Sequence, residues 1–126
     1  MQPARADVVR NSIEAFSRGD FDAALNAFDP DIEWEVSRDL VPDGMTYRGH
    51  EGVREFWAGW HQLFHPFRLE IEECTPVGTD SVRVVTRAHG RGAGSGVPVE
   101  SPRFVQTFEF RSERVVAVRL HAGRRH

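Results

Sequence analysis

Arg87-Ala88-His89 puts a guanidinium and an imidazole two positions apart, on one face of a strand. A histidine with an ordinary pKa near 6.5 can act as a general base at neutral pH. Arg83 and Arg91 share that parity, and Glu70 and Glu72 lie on the polar face of the preceding run. The same residues therefore also read as an Arg–Glu ladder on a solvated or interfacial face. In that arrangement Val84, Thr86 and Ala88 point the other way. Gln106 sits between Phe104 and Phe108 at strand spacing, an amide in an apolar wall. An amide can orient a carbonyl or stabilise an oxyanion but cannot take a proton as a base. The alternative is a core glutamine bonded to the backbone. His61 and His65 are four apart, a spacing that can chelate. No HExxH and no third ligand accompanies them, and a histidine pair also suits a solvated helix end. Cys74 stands alone and reads as a small buried residue. The glycines at 90, 92, 94 and 96 alternate without opening a helix, so they make no phosphate loop.

The elements that must hold these residues follow from periodicity. Val9, Ile13 and Phe16 form a helical stripe over about Ala4–Arg18. Gly19 is placed to end it in a left-handed cap, and Asp20 to start a second, shorter helix carrying Ala24, Leu25 and Phe28, which Pro30 stops. Ile32, Trp34 and Val36 alternate with Glu33 and Glu35, a half-buried strand with its acids turned outward. Ser37–Arg48 reads as a long loop with a turn at Pro42-Asp43-Gly44. Val53, Phe56, Trp57, Trp60 and Phe64 recur at i, i+3, i+4, i+7 and i+11, the strongest helical pattern in the chain, closed by Pro66. Four strands follow: Phe67–Thr75, Ser81–Arg91, Val99–Arg111 and Val115–His121. They are separated by Gly78-Thr79-Asp80, the glycine-rich tip and Ser112-Glu113-Arg114. The tail Gly123–His126 is expected to fray. Helices first and strands after them predict an α+β domain, with helices packed on a mostly antiparallel sheet.

With 126 residues and 14.3 kDa the chain fits a single domain spanning 1–126, large enough to hold its own core. Its net charge of −3 lacks the basic excess that nucleic acid or an anionic membrane requires. One cysteine allows no internal disulfide. The start MQPARADVVR has no apolar core, so no signal peptide is expected, and a cytoplasmic location follows. Three tryptophans and nine phenylalanines are generous for this length.

The element order and three local motifs carry a resemblance. GDFDAALNAFDPDIEWEV, YRGHEGVREFWAGW, and GRGAGSGVPVE followed by FVQTFEF and ERVVAVRL resemble the NTF2-like superfamily, closest to its SnoaL-like group, over residues 6–122. The resemblance implies a cone-shaped α+β fold, three N-terminal helices on a curved sheet, and an apolar cavity at its open end. It implies that Trp34, Val36, Phe56, Trp57, Trp60, Phe108 and Leu120 line that cavity. Arg87, His89 and Gln106 are its polar candidates, and Tyr47, Asp39 and Asp43 stand at its mouth, with residues 37–48 as a lid. The ketosteroid isomerases, of the same fold, use a tyrosine and two aspartates where this chain has Ser12, Val36 and Gln106. The limonene-epoxide hydrolases use Arg-x-Asp where it has Arg87-Ala88-His89, with Leu120 near their second aspartate. No acidic residue matches the acid/base of the SnoaL-like cyclases. The expectation is a homodimer, paired through the outer sheet face, that binds a small apolar or aromatic molecule without metal or cofactor. The alternative is a cofactor-free isomerase, cyclase or epoxide hydrolase. No catalytic residue is assigned.

Overall fold

A computed structural model describes residues 4–123. Helix α1, Arg5–Ser17, buries Val9, Ser12, Ile13, Ala15 and Phe16. Gly19 follows it with φ +80°, and its N–H bonds the Phe16 carbonyl at 2.9 Å, as a left-handed cap requires. The Asp20 carboxylate accepts from the Ala23 N–H at 3.2 Å and starts helix α2, Phe21–Leu25. Strand β1 spans Phe28–Val36, four residues longer at its start than the alternation predicts. Its pairing with the last strand breaks between Phe28 and Glu33, which leaves Pro30 in an irregular stretch where no ladder N–H is needed.

The expected loop over 37–48 is shorter than predicted. Met45–Arg48 forms strand β2, antiparallel to β1, with Tyr47 opposite Trp34. Helix α3 runs Gly49–Leu63, and the chain passes directly into β3, Phe64–Val77. Phe64 is thus the first strand residue and not the end of the helical stripe, and Pro66 lies inside the strand. Strands β4 (Ser81–Gly92), β5 (Pro98–Arg111) and β6 (Arg114–Ala122) complete the sheet. Of the expected tail, Gly123 donates to the Arg103 carbonyl at 2.8 Å; residues 124–126 lie outside the described part.

The strand order is β2-β1-β6-β5-β4-β3, with β1 and β6 parallel and every other neighbour antiparallel. Laid flat, the two edge strands would stand about 24 Å apart. Helix α3 packs on β2 at one edge and on β3 at the other. Its fifteen residues make α3 about 22 Å long, so it spans the sheet from the β2 edge that leads into it to the β3 edge that follows it. Register breaks in β3, between Ile71 and Glu73, and in the β4–β5 pair, between Arg87 and His89, are bulges of the kind that bend a sheet.

At one end α1 and α2 fill the curl with a fully buried core including Val9, Leu25, Phe28, Val82 and Val115. Arg5 fastens this end. Its guanidinium donates to the Thr79 carbonyl at 2.6 Å and the Ser112 carbonyl at 2.7 Å, tying α1 to two strand turns, and lies 5.1 Å from the Phe110 ring centre.

Candidate functional site

At the other end the curl is not filled. A cavity of about 430 Å³ lies between α3, α1 and the inner face of the sheet. Each wall follows from a periodicity. The inward alternation of β1 supplies Trp34 and Val36, that of β5 supplies Phe104, Gln106 and Phe108, and β6 adds Leu120. The α3 stripe contributes Phe56, Trp57 and Trp60, and Tyr47 of β2 stacks on Phe56 with ring centres 4.6 Å apart. Trp34 and Trp57 meet edge to face at 5.7 Å.

Arg87 is the exception among the expected lining residues. It does not reach the cavity. Arg87 and His89 pair across β3 with Glu70 and Arg68, whereas Ala88 pairs with the inward Leu69, so both lie on the outer face. There Arg87 donates to Glu100 at 3.0 Å, and its Nε, buried and without a hydrogen bond, stands 3.5 Å from Glu72. The His89 strand borders the cavity, but its ring is held by Glu70, Nε2 to Oε1 at 2.7 Å, with Glu100 at 3.6 Å from Nδ1. Arg103 completes this charged cluster by donating to Glu72 at 2.6 Å. That bond holds the Glu72 carboxyl below its ordinary range and raises the Arg103 guanidinium. The ladder reading of Arg83–Arg91 therefore describes this face, and the His89 ring is engaged there by Glu70 although the residue borders the cavity.

The sequence reading omitted several walls. Ser12, Ile13 and Phe16 of α1, and Phe64, Phe67 and Leu69 of β3, face the cavity. Phe104 shares the parity of Gln106 and was legible on that ground. Leu40, Val41, Pro42 and Gly44 of the shortened loop reach the mouth, together with Met45 at the start of β2. Asp39 is turned the other way, its carboxylate 3.3 Å from the Ala122 N–H.

The polar inventory of the lining is small. Among the described residues, no Asp, Glu or Arg side chain borders the cavity. Ser12 Oγ donates to the Ala24 carbonyl at 2.8 Å, and Ser101 Oγ donates to the Pro102 carbonyl at 2.7 Å while accepting the Ala88 N–H. Trp34 Nε1 is walled off without a partner. Gln106 is 4% exposed, and its only side-chain bond among the described residues is a long one, Nε2 to Thr86 Oγ1 at 3.5 Å.

The histidine pair does not form a chelate. His61 Nε2 lies 2.9 Å from the Phe16 carbonyl, and its ring packs edge-on against Phe16, Phe21 and Phe67. Burial pushes its pKa down, and nearby His65 pushes the same way against the Phe16 bond. His65 is in β3, off the helix. Among the described residues no three His, Cys, Asp or Glu side chains are placed to hold a metal ion. Cys74 is partly buried, its Sγ 3.7 Å from the Ala6 carbonyl, and burial raises its thiol pKa.

Comparison with known proteins places this architecture. An NTF2-like protein of unknown function from Burkholderia pseudomallei superposes with a TM-score of 0.79 at 26% identity, over 96% of this chain and 92% of that one. TerC, co-crystallised with polyporic acid, gives 0.75 at 23% identity over 93% and 89%. A Jannaschia protein provisionally assigned as a SnoaL-like polyketide cyclase gives 0.77 at 18% identity over 95% and 89%. No curated protein matches the chain in sequence. The model of the SnoaL-like domain matches residues 9–118, and with three helices on a curved, mostly antiparallel sheet around an aromatic cavity, the chain belongs to the SnoaL-like domain family of NTF2-like folds.

Proposed function

We propose that the protein binds an uncharged, apolar or aromatic small molecule in the cavity between α3 and the sheet. The observation that carries this is the lining itself: a space of about 430 Å³ walled by aromatic and aliphatic groups, with no carboxylate or guanidinium from the described residues. That volume falls in the range of roughly 300–1,000 Å³ usual for small-molecule sites. A charged ligand would lose its hydration there and gain no counter-ion. The same lining argues against the enzymatic alternative. Isomerisation, aldol closure and epoxide opening each need a group that takes or gives a proton at the reacting carbon or oxygen. The ionisable side chains near this cavity are Tyr47 at the rim and His89, whose ring is engaged outside. At 23% identity TerC shares the fold, and polyporic acid is not carried over as the ligand.

The test is a matched pair, naphthalene and naphthalene-2-sulfonate, followed by tryptophan emission and by thermal unfolding. Naphthalene is expected to quench the emission. It should also stabilise the fold by about 2.7 kcal/mol at a free concentration a hundred times its Kd. Equal binding of the sulfonate would overturn the uncharged-ligand reading.

The homodimer belongs to the same proposal. Val85 and Val105 are buried yet stand apart from the main core, on the outer face among Arg83, Arg87, Arg103, Thr107 and Glu109. A small apolar centre ringed by charge suits a two-fold contact. Sedimentation at micromolar concentration is expected to give twice the monomer mass, and a monomer throughout would remove this part.

A further inference from the structure

The Tyr47 hydroxyl and the Trp60 indole stand at the mouth of the cavity; deeper in the wall the polar groups are mostly committed or screened. The hydroxyls of Ser12 and Ser101 donate to backbone carbonyls. The Trp34 N–H is sealed behind its neighbours. What remains toward the floor is the amide of Gln106, on β5 in the interior of the sheet, between Phe104 and Phe108 on the same face. Its Nε2 leans on Thr86 Oγ1, itself fully buried, through a bond at the long limit of 3.5 Å. Its Oε1 accepts no hydrogen bond from any described residue. It is also not among the described side-chain atoms that are fully buried without a partner, which are Trp34 Nε1 and Arg87 Nε. An amide oxygen open to an apolar cavity and without a donor is a standing demand for one.

We infer that Gln106 is the specificity-determining residue of the cavity, and that its ligand is an aromatic molecule bearing a neutral hydroxyl or N–H that donates to Gln106 Oε1. The inference rests on the reading of the cavity as a ligand site and adds to it a direction for the hydrogen bond. As placed, the amide turns its nitrogen toward Thr86 Oγ1 at 3.5 Å and its oxygen away from it. An acceptor-only group, such as an ether, would face that oxygen lone pair to lone pair. A plain hydrocarbon would leave it unpaired. A phenol-like donor satisfies it without bringing charge into a wall that has no counter-ion.

Three probes of nearly one shape separate these cases: 2-naphthol, 2-methoxynaphthalene and naphthalene. Their dissociation constants are measured by titration against the protein's tryptophan indole and Gln106 side-chain amide NMR signals. The wild-type chain is expected to bind 2-naphthol about tenfold tighter than either of the others, the size of one satisfied buried acceptor. The Gln106 amide signals should move with 2-naphthol alone. Gln106→Met keeps the volume and removes the amide, and should level the three affinities while still binding naphthalene. The wild-type amide signals give the answer without that variant, should it fold poorly. Equal binding of all three probes to the wild-type protein would overturn the role of Gln106 and leave the cavity as a ligand site. Preference for the methyl ether would overturn the direction of the bond. Binding of none would overturn both readings together.

Discussion

Helices α1 and α3 both lie against the inner face of the sheet, and their patterns promise the opposite of what their burial delivers. α1 has the weaker stripe but buries five residues, with Val9 at 1% exposure and Ile13 at 4%. α3 has the strongest apolar periodicity in the chain and buries only Val53 and Trp57. Phe56 is half-buried, Trp60 is 37% exposed and Leu63 is 63% exposed. The difference lies in what each helix faces. α1 packs on α2 and the closed end of the sheet, and only its Ser12, Ile13 and Phe16 reach the inner wall of the cavity. The stripe of α3 spans the open end and meets a cavity. An apolar stripe identifies the face that turns inward; it does not say that something fills the space opposite.

The comparison is sharpest at Phe28, which lies at the junction of the two regions, fully buried with its ring against Trp34, Trp57 and Phe108. Phe28→Ala is expected to cost about 3–5 kcal/mol in urea unfolding. Trp34→Ala, in the cavity wall and 5% exposed, is expected to cost a similar amount, about 3 kcal/mol or more. A small loss at Phe28 would mean that the closed end is not close-packed. Trp60→Ala removes a ring that stacks on Phe64 and Phe67 at the mouth. Its stability cost should be about 2 kcal/mol, below the buried-aromatic range, because 37% of the residue is already in water. Naphthalene affinity should fall severalfold, which marks the residue as wall more than core.

A smaller effect comes with acid. The His61 pKa lies below its ordinary 6.5 in the folded chain, first because burial disfavours the imidazolium. The unfolded chain therefore takes up its proton first. Stability is fully present above pH 6.5 and declines as pH falls from there toward the lower folded value. Urea midpoints across pH 8 to 5 should show this decline, and His61→Gln, which cannot titrate, should reduce it. Leu63→Ser is the smallest case: a substitution at an exposed site is expected to stay within about 0.5 kcal/mol. A larger loss would show that Leu63 is covered by something in solution.

The strand–helix boundaries missed in the sequence have physical causes. Met45–Arg48 looks like a loop because it is short and follows Pro42-Asp43-Gly44; it becomes β2 only because β1 offers a free edge. Phe64 continues the helical period of α3 and is taken over by the pairing of β3 with Gly92. Propensity loses to a tertiary partner at both places. The loop between β1 and β2, 37–44, brings Leu40 and Val41 to the cavity mouth. Its motion as a lid is testable by amide exchange, which should be faster over 38–44 than in β5 and slow on addition of naphthalene.

Local chemistry determined a good deal on its own. The alternation of Trp34 and Val36 against Glu33 and Glu35, the Gly19-Asp20 stop and start, and the aromatic spacing of α3 fix which side chains turn inward, because strand and helix periods are properties of the backbone. Parity likewise set Arg87 and His89 apart from Ala88. What no local pattern contains is the curl of the sheet. That curl decides whether the inward faces meet each other, as at Phe28, or stand apart around a cavity, as at Gln106. It depends on register breaks between strands distant in sequence. Pairing of that kind exists only once the chain has folded, so the open amide oxygen of Gln106 is a fact of the tertiary structure.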